Sequence, residues 1–378
     1  MVSILGPVGG SFPVITGAAN AYPPSRSQEQ LWDGFFARHY QQDRWARRVF
    51  MSAGIRHRHC AVDPLQEDVS SWTTGRRMTR YVDEAVPLAA DAVTRALAAA
   101  DLSPAEVGLL AVVSCTGYAT PGVDLQVAAK LGFAASLQRL FIGHMGCYGA
   151  VPGLGAVADY VTARQRPAVL ACVELSSLHL QPATTDLEQI VAHALFSDAA
   201  AAVVVEPAAG SRSGPAGGLS VIDIAAHTVA DAASLMTWSI TDNGFRMTLD
   251  RQVPDVLARH VGPAVDDLLA RNGLRRGDVQ AWAVHPGGPR ILDVVADRLG
   301  LAEGDLAGSR HVLAEHGNCS SATLLLVLEE LRRRPLAPGA PVVAMAFGPG
   351  LTLYACLLRW TEAGSEVAGG TRHRRSVK

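Results

Sequence analysis

The sequence has few aromatic residues, few cysteines and no long uninterrupted apolar run. Aromatic residues are 6% of the 378, although 49% are hydrophobic, so small aliphatic side chains must fill the core. Six cysteines in this length do not form the dense disulfide framework of small secreted domains. No segment approaches the roughly 18 apolar residues of a spanning helix, and no basic leader precedes an apolar run. We therefore expect a reduced, cytoplasmic protein without membrane insertion.

Neither sign of charge is in excess. Lysine and arginine number 33, aspartate and glutamate number 35, and the formal net charge is −2. That balance does not favour nucleic acid or an anionic membrane as a partner. The length suits one large domain or two fused ones.

Several common site signatures are also missing. The sequence contains neither a P-loop nor a Gly-x-Ser-x-Gly elbow. Residues 149–155 are glycine-rich, but they lie inside a predicted helix rather than between a strand and a helix. Residues 56–60 have a metal-like spacing of histidine and cysteine without a second ligand pair. We expect no metal and no bound cofactor.

The two halves of the chain resemble each other across an aperiodic connector at 207–218. Ser114 precedes Cys147 by 33 residues, and His285 precedes Asn318 by the same 33 (147 − 114 and 318 − 285). This predicts an internal duplication of layered βα units, with halves at 1–210 and 211–378 and a disordered tail from about 363. Chance similarity between two alanine-rich segments is the alternative. The matching pieces are 91–97, 109–117, 145–151 and 168–174 in the first half, and 264–270, 281–288, 316–322 and 341–348 in the second.

Cys147 is the candidate nucleophile. It follows a strand pattern at 139–143 and a glycine, and it precedes an apolar run through Tyr160 that reads as a helix. A cysteine at a helix N-terminus is favoured as thiolate by the dipole and by free backbone N–H groups. A buried structural thiol is the alternative. The position of Cys147 matches that of Asn318 in the other half, and this favours a nucleophile over a structural thiol.

A thiolate nucleophile needs a partner that holds a proton near neutral pH, which favours histidine. His285 ends an apolar strand and is followed by a Pro-Gly-Gly-Pro turn that leaves little side chain around it. His144 and His316 are closer in sequence to Cys147 and Asn318, as packed or supporting groups. Asn318 cannot act as a base, but its amide can donate a fixed hydrogen bond to a thioester oxygen that becomes an enolate.

Four ordered motifs resemble the type III polyketide synthases of the chalcone synthase superfamily, in a bacterial form. They lie at 143–150, 285–292, 317–322 and 346–352, and the resemblance covers roughly 50–360. It implies an α/β, thiolase-like αβαβα fold and a homodimer. It also implies Cys147 as nucleophile with His285 and Asn318 as its partners.

The resemblance also places residues around a substrate cavity. Phe196 falls on a gatekeeping phenylalanine, Met247 on a second, and Thr120 on a methionine that reaches the partner subunit's cavity. Trp238 falls where plant members often have glycine, so the plant starter preference does not transfer. The other positions that line the cavity, the cyclisation region or the Gly-Pro-Gly loop are Cys115, Glu174, Ser176, His179, Ser320, Gly348 and Pro349.

The implied reaction needs only coenzyme A thioesters. Cys147 takes an acyl starter, His285 and Asn318 stabilise the enolate from decarboxylated malonyl-coenzyme A, and that carbanion extends the thioester. The candidates for coenzyme A phosphate contacts are Arg56 and Arg58, with the nearby Arg44, Arg47 and Arg48. A solvated charged face is the alternative interpretation.

Two rival functions remain at the level of sequence. A ketoacyl synthase III would perform one condensation with an acyl carrier protein, and a catalytically silent homologue would act as a binding or scaffold subunit. The aromatic-poor composition leads us to expect a fatty acyl starter and an alkylpyrone or alkylresorcinol product. An aromatic or malonyl-only starter is the alternative, and Cys115 keeps a malonyl-primed, naphthalene-forming reaction open.

Overall fold

The computed structural model describes residues 12–208, 218–334 and 336–361. Most of the predicted connector and all of the predicted tail lie outside these residues. The strands are β1 Val14–Ala21, β2 Ser25–Ser27, β3 His57–His59, β4 Leu109–Val113, β5 Gln138–Ile142, β6 Ala168–Leu175, β7 Asp198–Glu206, β8 Gly218–Thr228, β9 Met236–Thr241, β10 Gly244–Leu249, β11 Ala281–Val284, β12 Pro341–Gly348 and β13 Thr352–Thr361.

The helices flank and separate these strands. Gln28–Leu31 (α1) runs through a π-helical turn at Trp32–Phe36 into Ala37–His39 (α2). The remaining α-helices of the described residues are α3 Arg44–Ser52, α4 Thr74–Ala99, α5 Val123–Lys130, α6 Ala150–Arg164, α7 Leu187–Leu195, α8 Val253–Arg271, α9 Pro289–Leu299, α10 Ala307–His316 and α11 Ala322–Arg332.

Strand order repeats on either side of the contact between β1 and β8. Across the described residues the main sheet runs β11-β12-β13-β8-β1-β7-β6-β4-β5. In the first half β4 is parallel to β6 and β6 antiparallel to β7; in the second, β11 is parallel to β12 and β12 antiparallel to β13. This agrees with the expected duplication. The exact boundary at 210/211 falls among undescribed residues and stays a prediction.

The two parts of this sheet and the helices that pack on them form the five layers of the fold. Helix α4 packs on β1, β6 and β7 from outside, whereas α8 packs on β8 and β13. Between them, α6 and α11 each contact strands of both halves. The expected αβαβα arrangement is therefore the observed one, with the two halves facing each other across a shared helical layer.

Small residues make the close contacts between layers. A Cβ added to Gly17 in β1 would lie 2.3 Å from the carbonyl oxygen of Ala96 in α4. On the inner face, a Cβ on Gly153 in α6 would lie 2.8 Å from Leu170 in β6. The alanine-rich, aromatic-poor composition thus lets helices approach strands at backbone distance.

In the matching pieces 109–117 and 281–288, a strand covers only the first part of each segment. It ends at Val113 in the first half and at Val284 in the second. Beyond these points polar side chains and a proline-glycine turn end the apolar pattern. The candidate site residues stand in the loops that follow. Within the described residues, no helix is both long and apolar enough to cross a membrane.

We expect Leu170→Ala to destabilise the fold by about 2–5 kcal/mol, because it leaves a cavity beside Gly153 where the side chain is fully buried. Chemical unfolding followed by circular dichroism measures the loss. The matched control is Leu187→Ala, since that side chain is 57% exposed and its truncation should change stability little. Equal stability of the two variants would contradict this packing.

Candidate active site

Three loops carry the predicted catalytic residues. Cys147 lies in a 3-10 turn, Gly146–Tyr148, between β5 and α6; His285 directly follows β11; and Asn318 follows α10. Asn318 precedes α11 by four residues instead of opening it. The side chains of Ser320 and Asn318 lie close enough to the Cys147 thiol to lower its pKa. The amide of Asn318 also reaches the carbonyl of Gly287, next to His285, at 3.5 Å.

The thiol of Cys147 is buried, with 5% of the residue exposed. Burial raises its pKa to about 12, and the carboxylate of Glu174 pushes in the same direction. Hydrogen bonds from Ser320 and Asn318 oppose this without reversing it. The sequence favoured a thiolate, but Cys147 precedes the first residue of α6, and desolvation outweighs any help from that helix. Burial therefore favours the neutral thiol in the free site.

His285 is equally buried, at 1% exposed. Its backbone N–H donates to the carbonyl of Met345 at 2.8 Å, which continues the β11–β12 pairing. Neither ring nitrogen has a hydrogen-bond partner among the described residues. Burial lowers the pKa of the imidazole to about 3, so the ring is neutral and one nitrogen is free to accept a proton.

Asn318 is fixed by its backbone and by its own oxygen. Its N–H donates to the carbonyl of Leu195 at 3.0 Å, and its carbonyl accepts from Ser197 at 2.9 Å. The N–H of Ser320 donates to its Oδ1 at 2.9 Å. Because the oxygen is engaged, the amide NH2 is the group that faces the thiol. The preceding Gly317 has φ of +69°, and a Cβ there would lie 2.8 Å from the Cβ of Ser197.

A buried carboxylate lies behind the thiol. Glu174 is fully buried, and its oxygens accept from the N–H of Cys115 at 3.0 Å, from Thr116 at 2.8 Å and from Ser321 at 2.5 Å. Burial raises its pKa, and these hydrogen bonds partly offset the shift. Cys115 also lies 3.3 Å from the hydroxyl of Ser320, measured from sulfur to oxygen.

A two-stranded ribbon, β9–β10, supplies one wall of the site. Trp238 and Met247 stand opposite each other on it. The indole of Trp238 donates to the carbonyl of Cys115 at 2.8 Å, and its ring lies 6.4 Å from that of Phe196. His179 stacks on Phe245 with ring centroids 4.4 Å apart. An apolar cavity is lined by Phe196, Trp238, Met247, His179 and Ser176 together with residues from further inside the protein.

The Gly-Pro-Gly loop after β12 closes the site from the second half. A Cβ on Gly348 would lie 3.2 Å from the backbone nitrogen of Cys147. A Cβ on Gly146 would lie 2.6 Å from the ring of Pro349. Gly348 and Pro349 therefore pack directly against the turn that carries the thiol.

Other predicted residues are exposed or have partners outside the candidate site. Thr120 is exposed and hydrogen-bonds to the hydroxyl of Tyr118, so it does not line the cavity of its own chain. His144 is exposed. His316 hydrogen-bonds to His59 at 3.0 Å rather than to a site residue.

The two arginines predicted to contact phosphate differ in exposure. Arg56 is exposed and pairs with Glu315. Arg58 is only 4% exposed, and its Nη1 donates to the carbonyls of His193 and Phe196. The structure therefore argues against a surface phosphate contact by Arg58, because the side chain is used inside the fold.

Sequence reasoning missed Thr116 and Ser321, which help to hold the Glu174 carboxylate. Both follow apolar or small-residue segments, so the sequence gives no indication that their hydroxyls bind a carboxylate. The available signal was Glu174 itself, a carboxylate at the end of the fully apolar run of β6. A buried carboxylate requires hydrogen-bond donors nearby.

Comparison with known proteins identifies the family. Residues 46–209 match the chalcone and stilbene synthases, N-terminal domain. Residues 222–361 match the chalcone and stilbene synthases, C-terminal domain. The chain belongs to the chalcone and stilbene synthase family. Within this family the chain is a type III polyketide synthase, which is an acyltransferase with a thiolase-like fold. The alternative function of a ketoacyl synthase III is not favoured.

Bacterial relatives of this family cover most of the chain. It is 39% identical over 317 residues to 1,3,6,8-tetrahydroxynaphthalene synthase of Streptomyces peucetius subsp. caesius, which covers 83% of each chain. It is 34% identical over 318 residues to the alpha-pyrone synthesis polyketide synthase-like Pks18 of Mycobacterium tuberculosis, which covers 82% of this chain and 81% of the relative.

Solved structures of the family have the same fold. PKS-I of the brown alga Ectocarpus siliculosus superimposes with a TM-score of 0.87 at 30% identity, over 93% of this chain and 99% of that one. The 1,3,6,8-tetrahydroxynaphthalene synthase of Streptomyces coelicolor A3(2) gives 0.86 at 26% identity, over 93% and 100%.

The neutral thiol has a measurable consequence. Because burial raises the pKa of Cys147 to about 12, we expect its alkylation by iodoacetamide to accelerate about tenfold per pH unit between about pH 6 and pH 9. Peptide mass spectrometry separates Cys147 from the other cysteines, and Cys147→Ala is the blank. A rate that is already constant near pH 7 would mean that the free enzyme holds a thiolate.

Proposed function

We propose that Cys147 accepts an acyl starter from coenzyme A and that malonyl units then extend it by decarboxylative Claisen condensation, before the product cyclises. The observation that carries the proposal is the buried Cys147 thiol with the side chains of Ser320 and Asn318 beside it. We propose that coenzyme A thioesters are the only small molecules the reaction requires.

Loading of the starter begins from a neutral pair. The thiol of Cys147 loses its proton to His285, whose ring nitrogens are free of other partners in the described structure. The resulting thiolate attacks the thioester carbonyl, and coenzyme A departs with a proton. Burial disfavours separated charges, so the proton transfer takes place as the bond to the acyl carbon forms.

Decarboxylation depends on the hydrogen-bond donors of Asn318 and His285. Loss of carbon dioxide from malonyl-coenzyme A places negative charge on the thioester oxygen, which two donors can stabilise. Asn318 presents its NH2 because its oxygen is held by Ser320. The N–H of neutral His285 is the second donor. The carbanion then attacks the acyl group on Cys147, and the sulfur leaves.

Helix α3 is the proposed contact for the coenzyme A phosphates. Arg44, Arg47 and Arg48 line an open surface pocket together with Met51 and Ser52. None of these arginines forms an ion pair with another described residue. Three free cations on one short helix suit a ligand that carries several phosphate charges.

The proposed homodimer would use the exposed edge of the sheet. β5 is the end strand of the main sheet, yet Leu140 and Phe141 on it are 38% and 37% exposed. Tyr118, beside Thr120, is 61% exposed. An apolar, unprotected edge strand in a monomer invites pairing, and a second copy would cover it.

A malonyl-primed reaction is the second candidate. The relative at 39% identity is a 1,3,6,8-tetrahydroxynaphthalene synthase, and Cys115 contacts Ser320 within the site. In this reading malonyl-coenzyme A provides both starter and extender. The order of events at Cys147, His285 and Asn318 is the same.

Single substitutions distinguish the proposed roles of Cys147 and Asn318. We expect Cys147→Ala to lose the acyl adduct seen by intact-protein mass spectrometry after incubation with acyl-coenzyme A. We expect Asn318→Ala to keep that adduct but to decarboxylate malonyl-coenzyme A about 10²–10³-fold more slowly, since one enolate donor is gone. The control is His144→Ala, an exposed histidine three residues before the thiol. An adduct that survives in Cys147→Ala would overturn the assignment of the nucleophile.

A charged substitution on the edge strand tests the proposed dimer. Phe141→Lys places a charge on the exposed edge strand, so we expect sedimentation velocity to show a shift from dimer to monomer. Leu187→Lys is the matched control, because it charges a 57% exposed leucine on helix α7. A wild-type protein that sediments as a monomer would refute the proposed dimer directly.

A further inference from the structure

The β9–β10 ribbon is held by different contacts at its two ends. Its root is tied to the Gly-Pro-Gly loop, because the N–H of Gly350 donates to the carbonyl of Met236 at 3.1 Å. Its tip, residues 241–245, lies against helix α4 and the loop after β6. Two side chains from outside the ribbon, those of Thr74 and Gln181, bind this tip.

Thr74 binds the tip from the first residue of α4. Its hydroxyl accepts from the N–H of Gly244 at 2.8 Å and donates to the carbonyl of Thr241. Its backbone N–H donates to the carbonyl of Asp242 at 2.8 Å. The first N–H groups of a helix have no acceptor within that helix, so the tip binds a donor that α4 leaves free.

Gln181 binds the tip from the loop after β6. It is 7% exposed, and its amide donates to the carbonyls of Asn243 and Phe245, each at 3.1 Å, and to that of His179 at 3.0 Å. The N–H of Phe245 donates to Nδ1 of His179 at 2.9 Å. Both main-chain groups of Phe245 therefore bind side chains, which take the place of a neighbouring strand at this edge of the ribbon.

Trp238 connects the ribbon to the candidate active site. Its indole N–H donates to the carbonyl of Cys115 at 2.8 Å. The sulfur of Cys115 lies 3.3 Å from the hydroxyl of Ser320, and the Ser320 side chain acts to lower the pKa of the Cys147 thiol. A shift of the ribbon would therefore reach the neighbours of the nucleophile through a single hydrogen bond.

We propose that Thr74 and Gln181 are positioning residues, which fix the ribbon and with it Trp238, so that the chain growing on Cys147 gives one main product. This role rests on the proposed function and goes beyond it, because it belongs to two residues that act only through the ribbon. A wall held in one position selects one reactive geometry, whereas a loose wall admits several. Loss of either anchor changes which product forms more than it changes how fast malonyl-coenzyme A loses carbon dioxide.

Thr74 allows a conservative set of variants. Thr74→Val removes the hydroxyl but keeps the size of the side chain and the backbone N–H, and Thr74→Ser restores the hydroxyl. Thr79→Val is the matched control, because Thr79 is exposed on the same helix and its hydroxyl donates to the carbonyl of Gly75 within that helix, at 3.3 Å. Gln181→Met removes the amide donors of the second anchor at a similar side-chain length.

Hydrogen exchange measured by mass spectrometry on the full chain, without substrate, tests the anchoring. We expect the amides of 238–249 to exchange about three- to tenfold faster in Thr74→Val and in Gln181→Met, the change that corresponds to one lost hydrogen bond. The peptide that contains Cys147 should exchange as in the wild type. Thr74→Ser and Thr79→Val should match the wild type throughout.

Product analysis tests the consequence for the reaction, with malonyl-coenzyme A alone and with hexanoyl-coenzyme A added. We expect the ratio of the main wild-type product to all other products to fall about three- to tenfold in Thr74→Val and in Gln181→Met. Thr74→Ser should restore the ratio, and Thr79→Val should leave it unchanged. The kcat and KM for release of carbon dioxide from malonyl-coenzyme A should stay within about twofold of the wild type.

An unchanged product ratio in Thr74→Val would overturn the inference, even if Gln181→Met did not fold. So would an equal change in Thr79→Val, since that would point to the stability of α4 rather than to the ribbon. Slower release of carbon dioxide with an unchanged product ratio would place both residues at the reacting centre instead. Absence of an acyl adduct on wild-type Cys147 from every thioester would contradict the proposed function, whereas the exchange experiment would still decide whether the two residues anchor the ribbon.

Discussion

The backbone pairing between Phe196 and Asn318 is the constraint on which the site depends. It joins the end of α7 in the first half to the loop before α11 in the second. The flanking bonds run from Asn318 to Leu195 and from Ser197 to Asn318. Since these are main-chain bonds, they fix the positions of both residues whatever their side chains do. Phe196, the candidate gatekeeping residue, and Asn318, whose amide is proposed to act in catalysis, are thereby held in register across the two halves.

Burial then determines the chemistry that this frame supports. An exposed thiol and imidazole near each other would exchange a proton readily, but desolvation shifts the pKa of Cys147 upward and that of His285 downward. Both shifts favour the neutral forms of the thiol and the imidazole in the free protein. A thiol with a raised pKa is less open to alkylation and oxidation than a thiolate, because the thiolate is the reactive form.

The layered fold could be predicted from the sequence, and so could the loops that carry the candidate catalytic residues, because their signals are local. Cys147 and His285 each follow a strand pattern, a glycine directly precedes Cys147 and Asn318, and a proline-glycine turn follows His285. The equal spacing in the two halves indicates the duplication. The state of the thiol could not be predicted. It depends on the carboxylate of Glu174, which is distant in sequence, and on how deeply the site is buried. Arg58 shows the same limit, since a surface contact and an internal one have identical local sequence.

The β9–β10 ribbon separates the shape of the site from its reactivity. It pairs with no strand of the main sheet among the described residues, and it carries Trp238 and Met247 as a facing pair. By contrast, the turn of Cys147 touches Gly348 at backbone distance, where a larger side chain does not fit. Side chains on the ribbon can therefore drift while the reactive groups stay in place. A lineage could acquire new products by changing one hairpin, with the condensation chemistry inherited unaltered.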